Sequence, residues 1–190
     1  MKKQLGNIDH AKLLALVLLM ATPITVIADT NSTVNNAVRT FWNDCQGEMK
    51  SPPANDFFRV RHFGQDSRIA DLLVSLISTG NKTGTFTSPW LFDGKPNETP
   101  VVGGYTVVTS FLAEPRLLLR TTAVNTMRFD EISEMETRVD GPAVRALDVW
   151  RRVHWAYFGR ELEKLDRVPS LDMPVTVEEF EIVCVDETIS

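Results

Sequence analysis

Cysteine, tyrosine and histidine are scarce in this chain of 190 residues, at two, two and three. Two cysteines cannot build a zinc site alone and are too few for a disulfide scaffold. No His-Glu-x-x-His occurs, and nothing in the spacing of His10, His62 and His154 points to metal ligation. No Gly-x-Gly-x-x-Gly follows a strand pattern, and no phosphate loop of the Walker type is present. An α/β-hydrolase would lack its nucleophile, because there is no Gly-x-Ser-x-Gly. Ten glycines and ten prolines are too few for a fibrous or low-complexity chain. Positive charge is in deficit, with a formal net charge of -5. A sequence-independent grip on polyphosphate needs many Lys and Arg on one face, so the balance argues against it. It leaves room for a local basic pocket.

One long apolar run is present, Leu13 to Met20. It is short for a bilayer-spanning helix, which needs roughly 20 residues. Lys2, Lys3 and Lys12 precede or open it, Pro23 stands three residues past its end, and Val26-Ile27-Ala28 offers small side chains for cleavage. This order predicts a secretory signal peptide over residues 1–28 and export to a periplasmic or extracellular space. In that oxidising setting Cys45 and Cys184 could pair, although no spacing shows them to be close. Asn31, Asn81 and Asn97 open Asn-x-Ser/Thr triplets, which matter only in a glycosylating pathway.

The mature chain divides into an N-terminal helix and linker over 29–56 and one domain over 57–190. Val34, Val38, Phe41 and Trp42 recur at helical spacing, which predicts a helix over 34–45. Pro52 and Pro53 mark the linker. Residues 57–63 alternate like a strand. Asp66 and Ser67 can cap a helix whose apolar stripe is Ile69, Leu72, Leu73, Leu76 and Ile77, ended by Gly80. A threonine-rich strand follows over 82–88, then a Gly/Pro-rich loop over 92–104. Two strands are expected over 105–112 and 116–124. A weak helix over 129–139, a strong helix over 144–165 and a last strand over 175–185 complete the reading. Strands and helices mix without regular βαβ alternation, so the fold class is α+β.

Three ordered stretches carry a resemblance. The first runs His62-Phe63-Gly64-Gln65-Asp66-Ser67 to Ala70-Asp71. The second is Thr79-Gly80-Asn81-Lys82-Thr83-Gly84-Thr85. The third is Leu147-Asp148-Val149-Trp150-Arg151-Arg152-Val153-His154-Trp155, with Asp172-Met173-Pro174 downstream. Together they resemble the ASCH-domain family, in its longer bacterial branch, over about Thr40 to Val185. The resemblance implies a PUA-like fold, a small curved β-barrel flanked by helices, linked to RNA and modified nucleosides. It implies a nucleoside or single-stranded RNA as partner; no DNA partner, no cofactor and no metal ligands are expected, and whether a metal is needed is left open by the sequence.

Small amidohydrolases of the family act on N4-acetylcytidine, and some longer members are reported as ribonucleases. By resemblance the amidohydrolase groups fall on Lys82 and Thr85, with a later carboxylate best matched by Asp140. Asp is a methylene shorter than the family's Glu, and Glu136 and Glu134 are alternatives. A desolvated Lys82 could act as base or oxyanion stabiliser, Thr85 as nucleophile or positioning hydroxyl, and Asp140 as acid. Register slippage would exchange Thr85 for Thr83, Thr87 or Ser88. Arg151 and Trp155, one helical turn apart, could clamp a base. Trp90 could offer a stacking surface, and His62 and His154 could donate to a base or phosphate. A hydrolase and a non-catalytic binding module are both open. A carboxylate that reaches Lys82 is what the hydrolase requires.

Overall fold

The computed structural model describes residues 25–54 and 56–186. The chain forms two compact units, Met1–Asn36 and Ala37–Ser190. Of the first unit only residues 25–36 are described, and they are helical. The expected targeting segment lies outside the described residues up to position 24. Among the described residues no helix is long and apolar enough to cross a membrane. All five strands belong to the second unit.

Helix α1 spans Thr25–Glu48, longer than expected at both ends. Val38, Trp42 and Cys45 fall on one face at helical spacing and are buried. They pack on Val107 and Leu118, and Trp42 stacks on Phe58. Helix α2 spans Ser67–Ser78, with the Asp66 side chain accepting from the Ile69 backbone N–H at 2.9 Å. Its buried seam is Ala70, Val74 and Ile77, while Leu72 is exposed. The expected stripe is therefore turned by part of a helical turn, onto Ala70, Val74 and Ile77.

Five strands form one sheet in the order β1-β3-β4-β5-β2: β1 Arg59–Arg61, β2 Gly84–Thr87, β3 Tyr105–Thr109, β4 Pro115–Arg128 and β5 Pro174–Val185. Only β1 and β3 are parallel. Strand β4 outruns its expected end at 124 because it pairs with β5 as far as Arg128 opposite Pro174. Its polar residues Asn125 and Thr126 hid that continuation. Register shifts at Leu118/Leu119 and Thr121/Ala123 mark bulges in the β4–β5 pair, and bulges bend a sheet. The fold is α+β and PUA-like, with the sheet curved but unclosed: β1 and β2 remain its two edges.

The helix expected over 129–139 is instead a 3-10 turn, Phe129–Glu131, and a single-turn helix α3, Glu134–Thr137. Ser133 causes the break. Its hydroxyl accepts from Met135 N–H while the Glu136 carboxylate returns to the Ser133 N–H, a capping box that restarts the helix. Helix α4 spans Leu147–Glu163 and buries Trp150, Phe158 and Leu162 against Phe86, Val175 and Val177.

Candidate functional site

Lys82 leaves the C-terminal end of α2 and enters β2. Its backbone N–H donates to Leu76 O at 2.9 Å. The 137–141 segment lies against this strand start, with Thr83 and Gly84 both donating to Val139 O. Only glycine permits that approach at position 84, where a Cβ would meet Val139 Cγ2 at 2.6 Å and Glu178 O at 2.8 Å. Arg145 ties the same two segments, donating to Asp140 O at 2.6 Å and to Asn81 O at 2.5 Å. Gly84 and Arg145 thus bring Asp140 to Lys82. Neither was singled out from the sequence. The glycine inside a strand pattern was the available signal.

Lys82 Nζ donates to Asp140 Oδ1 at 2.5 Å, and that oxygen also accepts from Gly141 N–H at 2.7 Å. Both side chains are about 95% buried. Burial pushes the Lys82 ammonium below its usual range, and the Asp140 charge opposes that push. Asp140 Oδ2 lies 3.5 Å from His154 Nε2. The His154 ring stacks on Trp150 at 4.3 Å, meets Phe86 edge-on, and sets Nδ1 3.1 Å from Trp150 O. A carbonyl only accepts, so the bond to it puts the proton of the neutral ring on Nδ1.

Burial is the main cause that brings the His154 pKa down to about 4, with Asp140 opposing and Lys82 assisting. The ring is therefore neutral in the fold near pH 7. The unfolded chain binds more protons between about pH 4 and the ordinary 6.5. His154 stabilises fully above pH 6.5, and that contribution is lost as the pH falls through 4. The gap is worth about 3 kcal/mol. In urea titrations, the wild type should lose about 3 kcal/mol more than a His154→Gln variant between pH 7 and 4. Parallel losses would mean that the ring is charged in the fold.

Thr85 stands elsewhere. It pairs with Glu178 across the β2–β5 ladder, so the two side chains share a face, while Phe86 points the other way into Trp150 and His154. Among the described residues Thr85 makes no hydrogen bond to Lys82 or Asp140. Glu136 is committed to Ser133, and Glu134 is exposed. The Arg151 guanidinium donates to Asp130 O and Ile132 O, while Trp155 meets Phe129 edge-on at 5.4 Å, so the two are not stacked on each other. One face of Trp90 lies under the Arg167 guanidinium at 4.4 Å. His62 is exposed and rests against Phe111 at the β3–β4 turn, apart from the lysine cluster. Cys45 and Cys184 form a disulfide joining α1 to β5.

The face that carries Thr85 opens into a cleft of about 330 Å³. Its floor comes from β4 and β5: Thr126 stands opposite Thr176 in the sheet register, and Val124 lies beside them. Thr126 and Thr176 hydroxyls lie 3.0 Å apart. The 89–100 segment walls it with Phe92, Asp93 and Lys95. One row along, Glu178 is buried in a network with the Arg59 guanidinium and the Thr121 hydroxyl, which donates at 2.7 Å. Arg59 also reaches Glu98 O at 3.4 Å, which ties the 96–98 turn to β1. This network was not anticipated, although Arg59-Val60-Arg61 already alternates charged and apolar. Among the described residues no three His, Cys, Asp or Glu side chains gather as metal ligands would.

The ASCH domain family matches residues 59–184. The fold is similar to an ASCH domain from Lactobacillus crispatus JV V101, with a TM-score of 0.71 and 23% identity over 78% of this chain and 94% of that one. It is also similar to a protein from Enterococcus faecalis V583, with a TM-score of 0.67 and 25% identity over 78% of this chain and 88% of that one. No curated protein matches the chain.

Proposed function

We propose, from the premise that this chain belongs to the ASCH-domain family, that it is an exported binding module for a nucleoside or a nucleoside unit of single-stranded RNA. The cleft floored by Thr126 and Thr176 carries the reading. Its volume of about 330 Å³ is at the lower end for small-molecule sites and suits one nucleoside. Hydroxyls donate and accept, which suits the edge of a base or a ribose. Phe92 and Lys95 add an apolar wall and a cation. The acidic balance of the chain fits a single-unit ligand better than a long polyanion.

Catalysis is the second reading, favoured by one observation: Asp140 does reach Lys82, as an amidohydrolase requires. Against it, the pair is sealed and Thr85 faces away. Titration calorimetry of the mature chain, from Asp29 onward, with cytidine and a short single-stranded RNA tests binding. A Thr126→Val/Thr176→Val variant removes both partners of one hydrogen bond, so stability should hold. Affinity should fall about tenfold or more. Unchanged affinity would remove the cleft from the proposal. N4-acetylcytidine incubated in parallel should remain intact. Turnover that Thr85→Val abolishes would establish the hydrolase instead.

Export rests on the charged, apolar and small-residue order of residues 1–28, and the Cys45–Cys184 bond suits an oxidising space. N-terminal sequencing of protein recovered outside the cytoplasm should begin at Asp29. Recovery only inside, with Met1 intact, would defeat it.

A further inference from the structure

Burial divides the lining of the threonine cleft in two. Phe92 and Pro100 are buried, and Pro89 and Val124 are half-buried, which gives an apolar part. The 93–96 turn is exposed, which gives a polar part. A planar base gains most by covering the apolar part. The sugar of the same nucleoside then meets the exposed turn. Asp93 stands in that turn, and among the described residues its carboxylate makes no hydrogen bond or ion pair. The neighbouring cation leaves it free, because Lys95 Nζ lies 3.9 Å from Glu98 Oε2 instead. Between the two, Gly94 turns the chain at φ +70°, and a Cβ built there would meet nothing within 4 Å, so the space beside Asp93 is open. An ionised carboxylate only accepts, through two oxygens, and so matches a ligand that offers two donors side by side. In a nucleoside the 2′- and 3′-hydroxyls, on adjacent carbons, are that pair.

We propose that Asp93 reads the sugar of the bound nucleoside, accepting from its 2′- and 3′-hydroxyls, so that the cleft takes ribonucleosides in preference to 2′-deoxyribonucleosides. The inference rests on the nucleoside-binding reading and adds to it the residue that selects the sugar. Hydrogen bonds to an ionised acceptor are among the stronger ones, and the 2′-hydroxyl is the group that separates RNA from DNA. A deoxyribose leaves one Asp93 oxygen to water. The other donor that a nucleoside can offer a carboxylate is the exocyclic amine of its base. The order of burial along the lining favours the sugar, because it draws the base to Phe92 and Pro100 and away from the exposed turn.

Calorimetry of the mature chain with cytidine, 2′-deoxycytidine and uridine tests it. Cytidine should bind about tenfold tighter than 2′-deoxycytidine. Uridine, which carries the same ribose, should bind like cytidine. Asp93→Ala should bring the affinities for cytidine and 2′-deoxycytidine together, and Asp93→Glu should keep part of the difference. Asp93 is exposed, so neither variant should move the melting temperature without ligand. Equal binding of cytidine and 2′-deoxycytidine by the wild type would overturn the assignment and leave the nucleoside reading standing. A preference for cytidine over uridine that Asp93→Ala removes would place the carboxylate at the base amine and overturn it too. If no nucleoside binds, the nucleoside reading itself fails and takes this inference with it.

Discussion

Replacing Lys82 by Met should lower stability by about 3–5 kcal/mol, because it leaves the Asp140 carboxylate buried without its cation. In a domain of this size that is roughly 10–15 °C in melting temperature. The pair has no access to water in compensation, since both side chains are about 95% buried. Asp140→Asn should also destabilise, but with a distinctive pH dependence. Asp140 is what holds the Lys82 pKa up against burial. Without it the Lys82 pKa falls further below the ordinary 10.5. The unfolded chain then binds more protons across that window, so stability of the variant rises with pH toward 10.5. The double variant Lys82→Met/Asp140→Leu should recover much of the loss, since a buried ion pair often exchanges for apolar side chains at little net change. Denaturant titrations of the wild type, Lys82→Met, Asp140→Leu and the double variant give the coupling directly. A Lys82→Met protein as stable as wild type would mean that the pair is open and loosely held. Lys82 would then regain its claim as a reacting group.

That outcome bears on how far a motif can be read alone. The Lys82 and Thr85 spacing was legible in the sequence, and so was the eventual partner Asp140. Strand alternation already separates residues three apart onto opposite faces, yet Lys82 lies just outside the strand, where alternation gives no guarantee. What could not be read was the approach of the 137–141 segment, which depends on Gly84, far back in the sequence, and on the tie that Arg145 makes to Asn81 O, 64 residues away. The three long helices were legible because their buried residues recur at helical spacing, whereas the helix expected over 129–139 breaks at Ser133 into two short turns. In α2 the seam was misassigned, where Ala70 counted less than the leucines beside it. The last four residues of β4 were not legible, because Asn125 and the cleft-lining Thr126 look like a loop. The Arg59–Glu178 pair was invisible for a simpler reason: its partners are 119 residues apart.

Reducing the Cys45–Cys184 bond should lower the melting temperature by roughly 10 °C. The bond closes a loop with a sequence separation of 139. The chain-entropy treatment gives about 5 kcal/mol for a loop of this length, and measured values commonly fall between about 2 and 4. Its position sharpens the expectation. Cys45 is fully buried among Trp42 and Val38 on α1 and the sheet residues Val107 and Leu118, so the bond to Cys184 fixes that helix to the sheet within its apolar contact. Once it opens, α1 depends on Trp42 and Val38, whose burial is worth about 1.5–3 kcal/mol each. A Cys45→Ala/Cys184→Ala protein should melt near the reduced wild type and ignore reductant. If reductant frees two thiols without moving the wild-type melting curve, the apolar contact alone holds α1. The protein would then need no oxidising compartment to fold. If the curve moves as expected, a reducing cytoplasm would leave α1 poorly docked, and the stability of the fold would depend on export.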